Sequence, residues 1–296
     1  MVPAASTVGI IGVGNMGLAM AGRLLELGWP VAVRDIDPTR ERMARSLGAK
    51  VCASPSAVAE VAQCVIVCVV DSLQADHVLF APKDGVASQA HKPCVMLCPT
   101  LSPADTEAFA QRLAAMGLGC IDAPMSGGPV RARAGQMSLM VACDDALFER
   151  HLRLLDALAN PVFRVGSSPG DGARTKLVNN LLAAINLAGA AQALALAQQV
   201  GLDPTRTLRV IEQSSGQSWI SSDRLHRAIA GDLAPRAHTS LLNKDVRLAL
   251  AMSGAANFDA SLGAAAAALF ARACDNGLAE LDDACLFDML RGQGST

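Results

Sequence analysis

The feature that most constrains this chain is a glycine pattern placed between a strand and a helix. Residues 7–11, Thr-Val-Gly-Ile-Ile, read as a short apolar strand. Gly12-x-Gly14-x-x-Gly17 follows at once, and an apolar helical pattern runs from Leu18 to Leu27, where Gly28 stops it. In that setting Gly12 permits a tight turn, Gly14 lets the backbone approach a pyrophosphate, and Gly17 lets helix and strand pack closely. Amides at the helix start then face phosphate oxygens. A second strand, 31–33, ends at Arg34-Asp35. The Asp35 carboxylate is suited to accept hydrogen bonds from two ribose hydroxyls and to repel a 2′-phosphate, so NAD is expected over NADP. Arg34 is the residue able to soften that preference.

The rest of the N-terminal half alternates in the same way. A charged helix is expected over 38–47 and an extended piece over 51–53. The continuous apolar runs 64–70 and 94–98 suit central parallel strands. A helix over 103–116 and strands at 119–122, 137–141 and 162–165 complete a mostly parallel sheet covered on both faces. Beyond the turn cluster Gly166-Ser167-Ser168-Pro169-Gly170 no strand is evident. One long helix is expected from Arg174 to Val200, with Leu177, Leu181, Ile185 and Ala188 on one stripe. Shorter helices are expected over 204–213, 218–230, 239–253, 258–275 and 279–291. The expectation is therefore an α/β Rossmann domain at 1–165 and an all-α domain at 166–296, joined through one long helix.

Composition narrows the function classes. Lys plus Arg is 25 and Asp plus Glu 27, a formal charge of -2, which gives no long-range pull toward nucleic acid or an anionic membrane. Nine cysteines, spread without a CxxC pair, read as reduced thiols. The start has no basic region ahead of its apolar run. The Ala-rich stretch 177–200 is interrupted by Asn179, Asn180, Asn186 and Gln192 and reads as a buried helix rather than a membrane span. A cytoplasmic protein with no membrane partner is expected. His77, His91, His151, His226 and His238 are scattered, so no metal is expected.

Lysine is scarce: Lys50, Lys83, Lys92, Lys176 and Lys244 are the whole set. Lys176 and Asn180 would share a helix face one turn apart, able to put an ammonium and an amide on one substrate hydroxyl or carboxylate. A lysine on a solvated surface is the plainer reading of the same residue. Lys244, in Asn243-Lys244-Asp245, opens another helical stretch. Ser126-Gly127-Gly128, after Asp122-Ala123-Pro124, offers amides and a hydroxyl to a carboxylate, or is simply a loop. Thr100 stands just past a strand end, where sheet proteins put cofactor contacts.

Together these segments resemble the beta-hydroxyacid dehydrogenases, the family that includes 3-hydroxyisobutyrate dehydrogenase and tartronate semialdehyde reductase. The likeness runs over roughly residues 7–290. It rests on Gly12-to-Gly17 with Asn15-Met16 as its filling, Asp122-Ala123-Pro124-Met125-Ser126-Gly127-Gly128, Gly170-x-Gly172-x-x-x-Lys176-Leu177-x-Asn179-Asn180, and Asn243-Lys244-Asp245. The resemblance implies reversible NAD-linked oxidation of a small 3-hydroxy carboxylic acid, such as 3-hydroxyisobutyrate, glycerate or threonate. It makes Lys176 the general acid/base and Asn180 the residue that orients the substrate. Ser126, Gly127 and Gly128 would hold the carboxylate, Thr100 would touch the nicotinamide ribose, and Lys244 would lie near nicotinamide and substrate. A homodimer or homotetramer is implied as well.

Two departures from the family pattern stand out. The loop after Ser126-Gly127-Gly128 carries Arg131 and Arg133, either solvated or reading a second acidic group. Asp71 stands where a small or neutral residue is commoner, and is expected to point away from the pyrophosphate. Polar residues at Ser215, Gln217 and Ser218, with Trp219, would suit a hydroxylated substrate, though Trp219 equally fits a core. Two other functions remain open: an aldehyde or imine reductase on the same scaffold, and a dinucleotide-binding protein without catalysis.

Overall fold

The computed structural model describes residues 6–292. It divides into two compact units, with the boundary at Lys176/Leu177.

The first unit is a nine-stranded sheet. Its strands are β1 (Val8–Ile11), β2 (Val31–Arg34), β3 (Lys50–Val51), β4 (Cys64–Val67), β5 (Cys94–Leu97), β6 (Cys120–Asp122), β7 (Met125–Ser126), β8 (Met137–Ala142) and β9 (Ala159–Gly166). The order is β3-β2-β1-β4-β5-β6-β8-β7, with β9 beside β8. Strands β1 to β6 are parallel, β8 runs antiparallel to β6 and β7, and β9 is parallel to β8. The order reverses between β1 and β4, so the crevice of a doubly wound sheet opens at their carboxyl ends.

Helices cover both faces: α1 (Asn15–Glu26), α2 (Pro38–Ser46), α3 (Pro55–Val61), α4 (Ser72–Phe80), α5 (Pro103–Ala115), α6 (Gly128–Ala134) and α7 (Asp145–Leu158). Ile10, Ile66, Met96 and Ile121 lie side by side across β1, β4, β5 and β6. All four are fully buried in one core with Met20 and Leu24 of α1 and Leu155 of α7. The alternate residues Ile11, Val65, Val67, Val95 and Leu97 point the other way, onto Val58, Leu79 and Leu113 of α3, α4 and α5. Continuous apolar strands are thus explained by burial on both faces.

The second unit holds most of α8 (Asp171–Gln199), then α9 (Pro204–Glu212), α10 (Trp219–Ile229), α11 (Thr239–Ala255), α12 (Ser261–Ala273) and α13 (Leu286–Arg291). Its core joins Ala184, Leu187, Ala191 and Leu194 of α8 to Leu225, Val246, Phe270 and Phe287.

Several expectations are corrected. The strand expected over 64–70 stops at Val67, because its partners stop at Ile11 and Leu97. Asp71 then caps α4, accepting from Gln74 N at 2.8 Å. Four helices, α3, α4, α6 and α7, occupy segments that gave no helical expectation, and the loop carrying Arg131 and Arg133 is α6. The helix expected over 258–275 is α12 followed by a π turn (Cys274–Leu278), and the one expected over 279–291 is instead a 3-10 turn (Asp283–Cys285) and α13. Gly277, at φ +79°, breaks the run, and the Asp282 carboxylate is held by Arg227 at 2.9 Å and by the Arg236 amide at 2.8 Å.

The reading of 177–200 as a buried helix is corrected in part. Among the described residues α8 alone is long and apolar enough to cross a membrane, and 33% of its most apolar window is buried within the chain. Leu177, Leu187 and Leu194 are buried, while Val178, Leu182 and Leu196 are exposed.

Replacing Ile66 with Ala removes the middle of the four-strand row. The expected loss is about 2–5 kcal/mol of unfolding free energy, read by denaturant titration.

Candidate active site

The glycine pattern is built at the carboxyl end of β1. Gly12 has φ +89° and its amide donates to the Arg34 carbonyl at 2.9 Å. A Cβ there would run into the Cys68 carbonyl, and one on Gly17 would run into the Gly12 carbonyl. Gly14 is different: its φ is -62° and a Cβ would meet nothing within 4 Å. Packing and backbone conformation do not require glycine there, and the open space lies at the start of α1. That helix has no side-chain cap, whereas Asp37, Ser54, Asp71, Ser102 and Asp144 cap α2, α3, α4, α5 and α7. Amides with no side-chain acceptor, in open space, fit a pyrophosphate. Asn15 and Met16 form the first turn behind them.

Asp35 sits just past β2 and ties the glycine turn to it. Its Oδ2 accepts from Val13 N at 2.6 Å and its Oδ1 from Asp37 N at 2.8 Å. Arg34 turns to Glu41 of α2 at 2.7 Å, and the same Glu41 oxygen accepts from Asp35 N at 3.2 Å. Thr100 lies beyond β5, half-buried, at the same carboxyl edge of the sheet.

Ser126 ends β7, in register with Ser138 of β8. Gly127 and Gly128 follow at φ +123° and +74°, conformations that L side chains rarely adopt, and they lead into α6. Neither arginine behind them is loose. Arg131 Nε donates to the Gln136 carbonyl at 2.8 Å, and Arg133 pairs with Glu26 of α1.

Asp122, in the same motif as Ser126, is buried at 2% exposure. Its Oδ2 accepts from Gly170 N at 2.8 Å and Ala173 N at 3.0 Å, at the start of α8. Burial pushes its pKa up to about 6, against the pull of the Ala173, Gly170 and Gly172 amides. Gly172 is glycine because a Cβ would sit 2.8 Å from both Asp122 and the Met140 carbonyl. Lys176 comes one turn later and Asn180 one turn after that, each 8% exposed. A turn of α-helix rises about 5.4 Å, so the two side chains are neighbours on one face. The alternative of a solvated Lys176 is excluded by that burial.

Within the second unit, Asn180 Nδ2 donates to Asp245 Oδ2 at 2.6 Å, and Lys244 Nζ pairs with Asp245 Oδ1 at 2.8 Å. One buried carboxylate thus holds the amide and the ammonium. Asp122 and Asp245 lay inside the motifs but were not expected as site residues; a carboxylate flanking a reactive lysine or serine was the signal. Ser215, Gln217 and Trp219 are exposed, and Ser218 caps α10. Trp219 is therefore not core. His226 pairs with Glu212 at 2.8 Å.

The family model described as the NAD binding domain of 6-phosphogluconate dehydrogenase matches residues 7–166. That described as the NAD-binding domain of NADP-dependent 3-hydroxyisobutyrate dehydrogenase matches 170–290. An L-threonate dehydrogenase of Cupriavidus necator is 33% identical over 285 residues, covering 96% of each chain. A crystal structure of 3-hydroxyisobutyrate dehydrogenase from Salmonella typhimurium superposes at a TM-score of 0.89 with 33% identity, covering 96% of this chain and 99% of that one. The chain belongs to the beta-hydroxyacid dehydrogenase family. As a member it is an oxidoreductase with a domain that binds NAD or NADP. One relative, Psf3, at a TM-score of 0.88, 26% identity and coverage of 96% and 99%, is solved with NADP+.

Because Gly14 faces open space, Gly14→Ala is expected to keep the melting temperature while weakening dinucleotide binding about tenfold or more, some 1.4 kcal/mol. Gly17→Ala, which meets backbone, is expected to lower the melting temperature. Calorimetric titration and thermal unfolding of the two variants separate the roles.

Proposed function

We propose that this chain catalyses the reversible NAD-linked oxidation of a small 3-hydroxy carboxylic acid, with Lys176 as general acid/base. The observation that carries the reading is the pair of buried polar side chains, Lys176 and Asn180, one turn apart on the same face of α8.

In the oxidation direction the bound dinucleotide supplies the hydride acceptor. Lys176, as the neutral amine, takes the hydroxyl proton on Nζ as the carbonyl forms, and in reduction returns it from the ammonium. Asn180, its amide held by Asp245, orients that hydroxyl. The Ser126 hydroxyl and the amides of Gly127 and Gly128 hold the substrate carboxylate, since consecutive glycines let an anion reach the main chain. By the family resemblance, Lys244 would supply a positive charge to substrate and nicotinamide. The amides of Gly14, Asn15, Met16 and Gly17 would hold the pyrophosphate, and Thr100 the nicotinamide ribose.

NAD is favoured over NADP on charge. A 2′-phosphate at the end of β2 would meet Asp35 and Glu41, while Arg34, its natural partner, is engaged by Glu41. The acid is of the 3-hydroxyisobutyrate, glycerate or threonate type. The threonate reading draws on the named activity of the Cupriavidus necator relative. The engagement of Arg131 and Arg133 elsewhere supports a substrate with one acidic group rather than two. The exposed apolar side chains Val178, Leu182 and Leu196 of α8 support assembly as a homodimer or homotetramer, and nine unpaired thiols support a cytoplasmic location.

The test is NADH formation from NAD across a panel of 3-hydroxy acids, beside Lys176→Ala. Turnover of one acid is expected, with kcat lowered about 10²–10⁴-fold in the variant and NAD binding kept. An unimpaired variant would remove Lys176 from the chemistry. Uptake of NAD with no turnover of any acid would leave a binding protein, and activity confined to imines would favour the reductase reading. Glu41→Gln releases Arg34. It is expected to tighten NADP binding about tenfold while leaving NAD affinity nearly unchanged, by titration with each cofactor.

A further inference from the structure

We propose that Asp122 is a positioning residue for Lys176: from the end of β6 it clamps the first turn of α8, and thereby sets where that lysine stands. The inference rests on the reading of Lys176 as the acid/base.

A helix start leaves four amides without partners inside the helix. At α8 two amides around that start are taken by one residue far away in sequence, Gly170 N at 2.8 Å and Ala173 N at 3.0 Å from Asp122 Oδ2. A carboxylate at the positive end of a helix is also favoured by the helix dipole. The fit is steric as well as polar, since Gly172 leaves no room for a methyl group against Asp122 and the Met140 carbonyl. Ala173 and Gly172 lie three and four residues before Lys176, so the face that meets Asp122 is the face that carries the lysine. Arg174 fixes the same turn from the outside, pairing with Glu107 of α5 and with Asp171 at 3.1 Å. A reacting group displaced by about 1 Å loses roughly 10²-fold in rate, so a clamp one turn away acts directly on kcat.

Asp122 does this at a cost to the fold. Its folded pKa of about 6 lies above the ordinary carboxylate value, chiefly through burial. A raised carboxyl pKa means that the protonated form is the better one for folding. The stability this group contributes is therefore full below the unfolded value and is lost as pH rises through about 6. At neutral pH the anion is retained although a neutral group would be more stable.

Among the described residues, the groups facing Asp122 are these. Asp171 comes from α8, Cys98 lies past β5, and Cys120 is on its own strand, while β8 presents the Met140 carbonyl. Both thiols are pushed far up by burial and stay protonated throughout the range.

The experiment follows Asp122→Asn and Asp122→Ala in the reduction direction, where Lys176 must begin protonated. The wild type is expected to lose kcat as pH drops through about 6. Asp122→Asn keeps an acceptor oxygen but no charge. It is expected to lower kcat at neutral pH about tenfold, to lose the acid limb, to leave KM and NAD affinity nearly unchanged, and to be at least as stable as wild type at pH 7. Asp122→Ala is expected to lower kcat further and to speed amide exchange in residues 170–176, read by mass spectrometry. A purely structural residue would lower stability and activity together; that result, or an Asn variant with wild-type kcat and an intact acid limb, overturns the proposal. If Asp122→Ala does not fold, the isosteric Asn variant carries the test. Lys176→Ala, run alongside, separates the two readings: full turnover in that variant, or no turnover of any acid by the wild type, removes the role of Lys176. Faster exchange in Asp122→Ala would then mark Asp122 as structural only, overturning the proposal on its own grounds.

Discussion

Backbone amides at the carboxyl edge of the parallel sheet are the resource on which the rest of this molecule depends. Parallel strands all end on one side, and most hand the chain to a helix whose first amides lack partners. Most of those helices in the first unit spend their amides on a local Ser or Asp. The helix after β1 has no such cap, and its neighbour Gly14 presents open space. The helix α8 is instead capped from a distance, by Asp122 at the end of β6. What separates a binding edge from a structural one is therefore which amides the chain itself has satisfied.

Carboxylates do most of that allocation. Asp35 fastens the glycine turn to β2, Asp122 fastens α8 to β6, and Asp245 holds Asn180 and Lys244. Asp282 gathers Arg227 and the amides around Arg236. Each is a short acidic side chain joining segments distant in sequence. Buried charge is stabilised only when its donors are fixed, so each such residue holds its neighbours in one arrangement. Asp122, at the start of the helix that carries Lys176, and Asp245, on Asn180 and Lys244, bring that rigidity to the residues proposed to meet the substrate.

Some elements were legible because their physics is local. The runs Val8–Ile11, Cys64–Val67 and Cys94–Leu97 announce buried parallel strands, and Gly12, Gly14 and Gly17 announce a turn against them. Lys176 and Asn180 could be put on one face from helical spacing alone. The helices α3, α4 and α7 have cap signals ahead of them, in Ser54-Pro55, Asp71 and Asp144, that the sequence expectation does not use. The helix α6 had no comparable signal, since two glycines and a proline at its start read equally well as a loop.

The sequence by itself determined the alternation of strand and helix, the glycine turn after the first strand, and the shared face of Lys176 and Asn180. All three follow from periodicity and from backbone conformations that only certain residues adopt. Only the tertiary structure decided that Arg131 and Arg133 are engaged by Gln136 and Glu26, and that Arg34 turns to Glu41. It alone revealed that Asp122 faces a helix start and that Asp245 joins an amide to an ammonium. Those are choices of partner between residues far apart in the chain, and a charged side chain carries no mark of which partner it will find. The partner is set by which elements the sheet and the helical core bring within hydrogen-bonding distance.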